Sequence, residues 1–124
     1  MSILIFIFGI FTLEALSNSK AFKNKNRAFS GLVLPPASGN KADSIVVLFH
    51  GHGDNAENFL LLGALLGQFL PNTLFVAPEG PIACKTIHSG KQWLKTKKNN
   101  RPQLLKEIKK ALMQSKWVRD LKKK

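Results

Sequence analysis

With 124 residues, 44% of them hydrophobic, the chain has the size of one ordinary domain and enough apolar content to exclude wholesale disorder. A single cysteine, Cys84, excludes an intramolecular disulfide framework and a Cys-rich zinc module. The net charge of +12 is uneven: residues 42–84 carry four acidic groups and no Lys or Arg, whereas residues 85–124 carry fourteen basic residues against Glu107 and Asp120. The middle therefore reads as a packed unit and the end as a basic tail.

The chain begins with an apolar run of eleven residues, ILIFIFGIFTL (3–13), which Glu14 interrupts. A spanning helix needs about 20 apolar residues, so a simple transmembrane segment is not expected. The length suits a signal-peptide core, with EALSNS as a cleavage region, yet no Lys or Arg precedes it, and such signals begin with a basic stretch. The expectation is an apolar leader and basic linker over residues 1–26, with a cytoplasmic location favoured over export.

FSGLVL (29–34) predicts a short strand ended by Pro35 and Pro36, with ASGNKAD as the turn. SIVVLF (44–49) is an apolar, β-branched run of the kind buried on both faces of a parallel sheet. Asp54 and Glu57 then have capping-box spacing, with Asp54 at the cap. Phe59, Leu62, Leu65, Leu66 and Phe69 recur at helical spacing until Pro71 stops the helix. TLFVA (73–77) predicts a second buried strand, followed by the turn PEGP. Strand, Gly-rich loop, helix and strand make a βαβ unit with a right-handed crossover. Open α/β sheets place their chemistry at the carboxyl ends of such strands. HGHGD (50–54) occupies one of these ends.

Two readings of HGHGD compete. His50, His52 and Asp54 alternate and are reasonable zinc ligands. The following residue is Asn55, and His88 is the only other histidine, so too few ligands remain to close a metal shell. No metal is expected. The backbone reading needs less. Gly51 and Gly53 allow positive φ and close approach of a bound group. Amide N–H groups leading into a helix N-terminus can face a developing anion. An oxyanion donor of this kind contributes about 3–4 kcal/mol in favourable cases.

No nucleophilic centre is evident. The sequence holds no Gly-x-Ser-x-Gly, and Ser30, Ser38, Ser44, Ser89 and Ser115 lack that setting. Cys84 reads as a small buried residue without a base to orient it, and His88 as a solvated loop residue. PQLLKEIKKALMQSKWVRDL (102–121) predicts a helix with Leu104, Leu105, Ile108, Ala111, Leu112 and Leu121 broadly on one side. Lys106, Lys109, Lys110 and Lys116 are mostly on the other. Such a helix is either a solvated basic face or an amphipathic contact with a membrane surface or a partner chain. Nucleic-acid recognition is not expected, since aromatic and basic residues do not interleave.

VVLFHGHGDNAENF (46–59), LPNTLFVAPEGP (70–81) and GKQWL (90–94) together resemble the phospholipase/carboxylesterase family of α/β-hydrolases, which includes acyl-protein thioesterases. The resemblance covers residues 29–108. It implies an α/β fold: a partial α/β-hydrolase domain over residues 27–113, with a β-hairpin and a right-handed βαβ unit, truncated before the nucleophile strand. Residues 114–124 are then a basic tail. The resemblance further implies hydrolysis of carboxylic esters or thioesters without a cofactor or metal. The His52 N–H corresponds to an oxyanion-hole donor, supported by His50, Gly51, Gly53 and Asp54. Trp93 corresponds to an aromatic residue near the acyl-binding cleft. The family's nucleophile elbow, catalytic Asp and catalytic His lie beyond the matching region, so this chain would carry the front of a hydrolase without its triad.

Overall fold

The computed structural model describes residues 17–23, 30–93, 101–114, 118, 119 and 123. Among these residues the elements in chain order are β1 (Lys20–Lys23), β2 (Ser30–Leu34), β3 (Ser44–Val47), α1 (Ala56–Leu66), β4 (Thr73–Glu79), β5 (Ile82–Ala83), β6 (Lys91–Gln92) and α2 (Arg101–Met113). β1 to β4 form a mixed sheet in the order β1-β2-β4-β3, and β5 and β6 pair separately as an antiparallel ribbon. β3 and β4 run parallel and are joined through α1, so the chain is α/β.

The strands flanking ASGNKAD do not form a hairpin, contrary to the sequence expectation. β4 lies between β2 and β3, antiparallel to the first and parallel to the second. The connecting segment is drawn across the start of β4 instead. The Ser38 N–H donates to the Pro71 carbonyl at 2.9 Å and the Asp43 N–H to the Asn72 carbonyl at 3.0 Å. The antiparallel partner on the other side of β2 is β1, from residues expected to be linker. Phe22 explains its inclusion, since it packs against Val33, Leu74 and Val76.

β4 alternates across the sheet, as a strand must. Phe75 and Ala77 join Leu34, Ala56, Leu60 and Ala64 in one cluster, while Leu74 and Val76 join Val33 in another. Phe75, Leu60 and Val76 are fully buried, each contributing about 1.5–3 kcal/mol of transfer free energy. β3 is as apolar as an interior strand, but it ends at Val47 and is only half-buried, because it pairs on one side alone among the described residues.

α1 is shorter than predicted. Gly67, not Pro71, caps its C-terminus, and its buried residues are Ala56, Leu60, Gly63 and Ala64. Leu62, Leu65 and Phe69, which recur at helical spacing, are exposed. The helix is apolar around most of its circumference, so periodicity alone does not select a face. Close approach selects it: a Cβ on Gly63 would lie 3.0 Å from the Phe75 Cβ. At the other end of the chain, Leu104, Ile108, Ala111 and Leu112 of α2 are partly buried, while Leu105, Lys106, Lys109 and Lys110 are exposed. Lys116 and Leu121, and the leader up to residue 16, lie outside the described residues. No described helix is long and apolar enough to cross a membrane.

Candidate functional site

HGHGD leaves the carboxyl end of β3 and turns into α1. Its three polar side chains diverge to different partners. His50 is buried; its Nδ1 lies 2.8 Å from the Gly51 carbonyl and its Nε2 accepts the Gly80 N–H at 2.9 Å. A carbonyl only accepts and an amide only donates, so the ring carries its proton on Nδ1. Glu79 Oε1, 3.3 Å from the same Nε2, is then a neighbour in packing rather than an ion-pair partner. Asp54 Oδ1 accepts the Asn55 N–H at 2.9 Å and the Asn58 side-chain amide at 2.8 Å. The Asn58 bond first, then the Asn55 bond, hold its carboxyl below the usual value against a modest opposing effect of burial. His52 is exposed and points its Nε2 towards Cys84. Among the described residues, no group of three or more His, Cys, Asp and Glu is arranged to hold a metal ion.

The helix cap is Asn55, not Asp54 as the capping-box spacing predicts. The Asn55 side chain accepts the Asn58 N–H at 2.9 Å. Glu57 does not complete the box; Glu79, from the end of β4, accepts the Ala56 N–H at 3.1 Å instead. Two amides of the first helical turn, those of Ala56 and Asn58, are therefore taken by a carboxylate and a side-chain amide. Glu79 was missed because it is remote in sequence; its place in PEGP reads only as a turn.

The amides of the loop itself decide what it can bind. The Gly53 N–H donates to the Lys91 carbonyl at 2.9 Å and the Asp54 N–H to the Gly51 carbonyl at 3.3 Å. Asn55 and Ala56 are engaged by Asp54 and Glu79. The Gly51 and His52 N–H groups, by contrast, find no protein acceptor among the described residues. Of the two glycines, only Gly53 uses positive φ, at 81°. Gly51 does not, but a Cβ there would meet nothing within 4 Å, so the main chain is open on that side.

The ribbon around β5 and β6 is fastened to this loop. Lys91 returns its N–H to the Asp54 carbonyl at 2.8 Å. Trp93 donates its indole N–H to the His50 carbonyl at 3.0 Å and packs its ring 5.1 Å from His50 and 5.6 Å from Phe49. Trp93 thus braces the start of the loop while remaining partly exposed. His88 is exposed, in keeping with a loop residue. Of two surface grooves, one of ≈ 500 Å³ lies by Pro35 and Gly67 and one of ≈ 430 Å³ reaches Asn55, Ala56 and Glu79; neither is lined by His52, Cys84 or Trp93.

Cys84 is not the isolated buried residue that the sequence suggests. It is partly exposed, with its Sγ 3.7 Å from His52 Nε2 and 3.4 Å from Thr86 Oγ1. The Thr86 hydroxyl, then the Thr86 and Ile87 amides, hold its thiol below the usual value, outweighing desolvation. The spacing of thirty-two residues between His52 and Cys84 carries no sequence signature.

No family model matches the chain. An uncharacterized hydrolase from Mycosarcoma maydis is 32% identical over 66 residues, which are 53% of this chain and 25% of that protein. The crystal structure of esterase PE8 superposes with a TM-score of 0.50 at 37% identity, covering 57% of this chain and 34% of the esterase. The chain is thus similar, over just over half its length, to hydrolases of esterase-like α/β fold, and it spans about a quarter of the curated relative and about a third of the solved esterase.

Proposed function

We propose that this chain is the front part of a carboxylesterase- or thioesterase-type hydrolase of the phospholipase/carboxylesterase kind, and that it contributes the His52 oxyanion donor. The observation that carries the reading is the unpartnered His52 N–H, in a loop whose next four amides are all engaged. The loop joins the third strand of the sheet to the first helix after it. In α/β-hydrolases the β3–αA loop supplies one oxyanion N–H, and the residue after the nucleophile supplies the other. His50, Asp54 and the Gly53–Lys91 bond rigidify the loop, so the donor is aimed before substrate arrives. Phe49 and Trp93, beside the loop, provide an apolar wall for the acyl chain.

The serine mechanism needs a nucleophile, a base that takes its proton, and an acid that orients the base. The chain has no Gly-x-Ser-x-Gly to present such a serine. On this reading the purified chain gives no serine-dependent turnover of p-nitrophenyl butyrate, and a fluorophosphonate probe labels no serine. Joining a family-type second half after Ile108 should restore turnover, and His52→Pro in the joined protein should lower it by roughly 10²–10³-fold through loss of one donor. Saturable turnover by the chain alone, abolished by one Ser→Ala change, would sink the proposal.

A further inference from the structure

Two loops far apart in sequence bring a thiol and an imidazole together, and neither is required by the oxyanion reading. We propose that Cys84 and His52 are a nucleophile–base pair that accepts an acyl group from an activated ester or thioester, leaving an S-acyl cysteine. The distance from Sγ to Nε2 is 3.7 Å, within reach of a sulfur hydrogen bond, and Thr86 Oγ1 lies 3.4 Å from the same sulfur. Both members are accessible, since His52 is exposed and Cys84 partly so.

The pair is held by backbone rather than by two free side chains. The Cys84 N–H donates to the Gly90 carbonyl at 2.8 Å, closing its loop. Gly53 and Asp54 exchange hydrogen bonds with Lys91 at 2.9 and 2.8 Å, which fastens that loop to HGHGD. The contact is close enough that a Cβ on Gly90 would lie 2.5 Å from the Gly53 carbonyl oxygen. The Thr86 hydroxyl and the Thr86 and Ile87 amides stabilise the thiolate further.

In the step itself, the Sγ–H proton passes to His52 Nε2 and the sulfur attacks the carbonyl carbon. A C–S bond forms as the bond to the leaving oxygen or sulfur breaks. The leaving group takes the proton from Nε2 and departs as an alcohol or thiol. Nothing is oxidised or reduced, and His52 returns to its neutral form.

The experiment treats the full chain with p-nitrophenyl butyrate and follows both p-nitrophenolate release and intact mass. The expected result is about one equivalent of release per chain, a mass gain of one butyryl group on Cys84, and reversal by neutral hydroxylamine, a thioester signature. Cys84→Ala should abolish the mass gain. His52→Ala should slow acylation roughly tenfold or more, a modest share of the 10²–10⁴-fold that a well-placed base supplies. Thr86→Val gives a second slowed variant, and His88→Ala should leave the rate unchanged. Butyrylation that survives in Cys84→Ala, or a rate unaltered in both His52→Ala and Thr86→Val, overturns the pair. Since His52→Ala keeps the main-chain N–H, its outcome bears on the pair alone, whereas His52→Pro in the joined protein bears on the oxyanion reading.

Discussion

His50 and Asp54 hold the loop by different kinds of bond. His50 joins the Gly51 carbonyl to the Gly80 N–H through its two ring nitrogens. Asp54 binds the Asn58 side chain and the Asn55 amide as a carboxylate, with its pKa lowered chiefly by Asn58. A lowered native pKa means that protons favour the unfolded state. The stabilisation is complete above the unfolded value of about 4 and is lost as pH falls through the lower native value. Asp54→Asn should therefore be less stable than the wild type at pH 7, with the gap shrinking below about pH 4 in urea titrations. A gap that stays constant from pH 7 to pH 3 would show that the loop does not use the charge.

α1 shows how an element can be legible while its orientation is not. Its sequence is apolar on nearly every side, so periodicity does not choose the face. The face that packs is the small one, because Gly63 lets the helix axis approach Phe75. Gly63→Val should place branched atoms into that contact and cost about 1–3 kcal/mol by overpacking. Leu65→Lys, on the exposed side, should change stability by no more than about 0.5 kcal/mol. Equal losses for the two variants, measured by chemical denaturation, would mean that the outer face is also packed.

At the scale of the molecule, the sheet is bounded among the described residues by β1 on one side and β3 on the other. β1 closes the edge of β2 and brings Phe22 to Val33, Leu74 and Val76. Deleting residues 1–19 keeps β1, whereas deleting residues 1–26 removes it. The shorter deletion should leave the circular dichroism of the sheet intact. The longer one should lower Tm by roughly 5–15 °C, as about 1–2 kcal/mol of packing does in a small domain. It should also promote association through the newly unpaired edge. Identical melting of the two proteins would remove β1 from the stabilising sheet.

The local order of strand, glycine loop, helix and strand was determined by the sequence alone, because each piece is specified within a few residues. β-branched runs, a Gly-rich turn and an apolar helix each carry their own signal. The position of HGHGD at a strand end and the want of Gly-x-Ser-x-Gly were equally plain. Tertiary structure decided which strands are neighbours, which helix face is inside, and which groups complete the loop. The insertion of β4 between β2 and β3 depends on pairing across tens of residues, where no local pattern specifies the partner. The same holds for Glu79 on the Ala56 amide and for Cys84 beside His52. Those contacts exist only once the parallel register of β3 and β4 brings their carboxyl ends together, because short-range forces act on distances in space and not on separations along the chain.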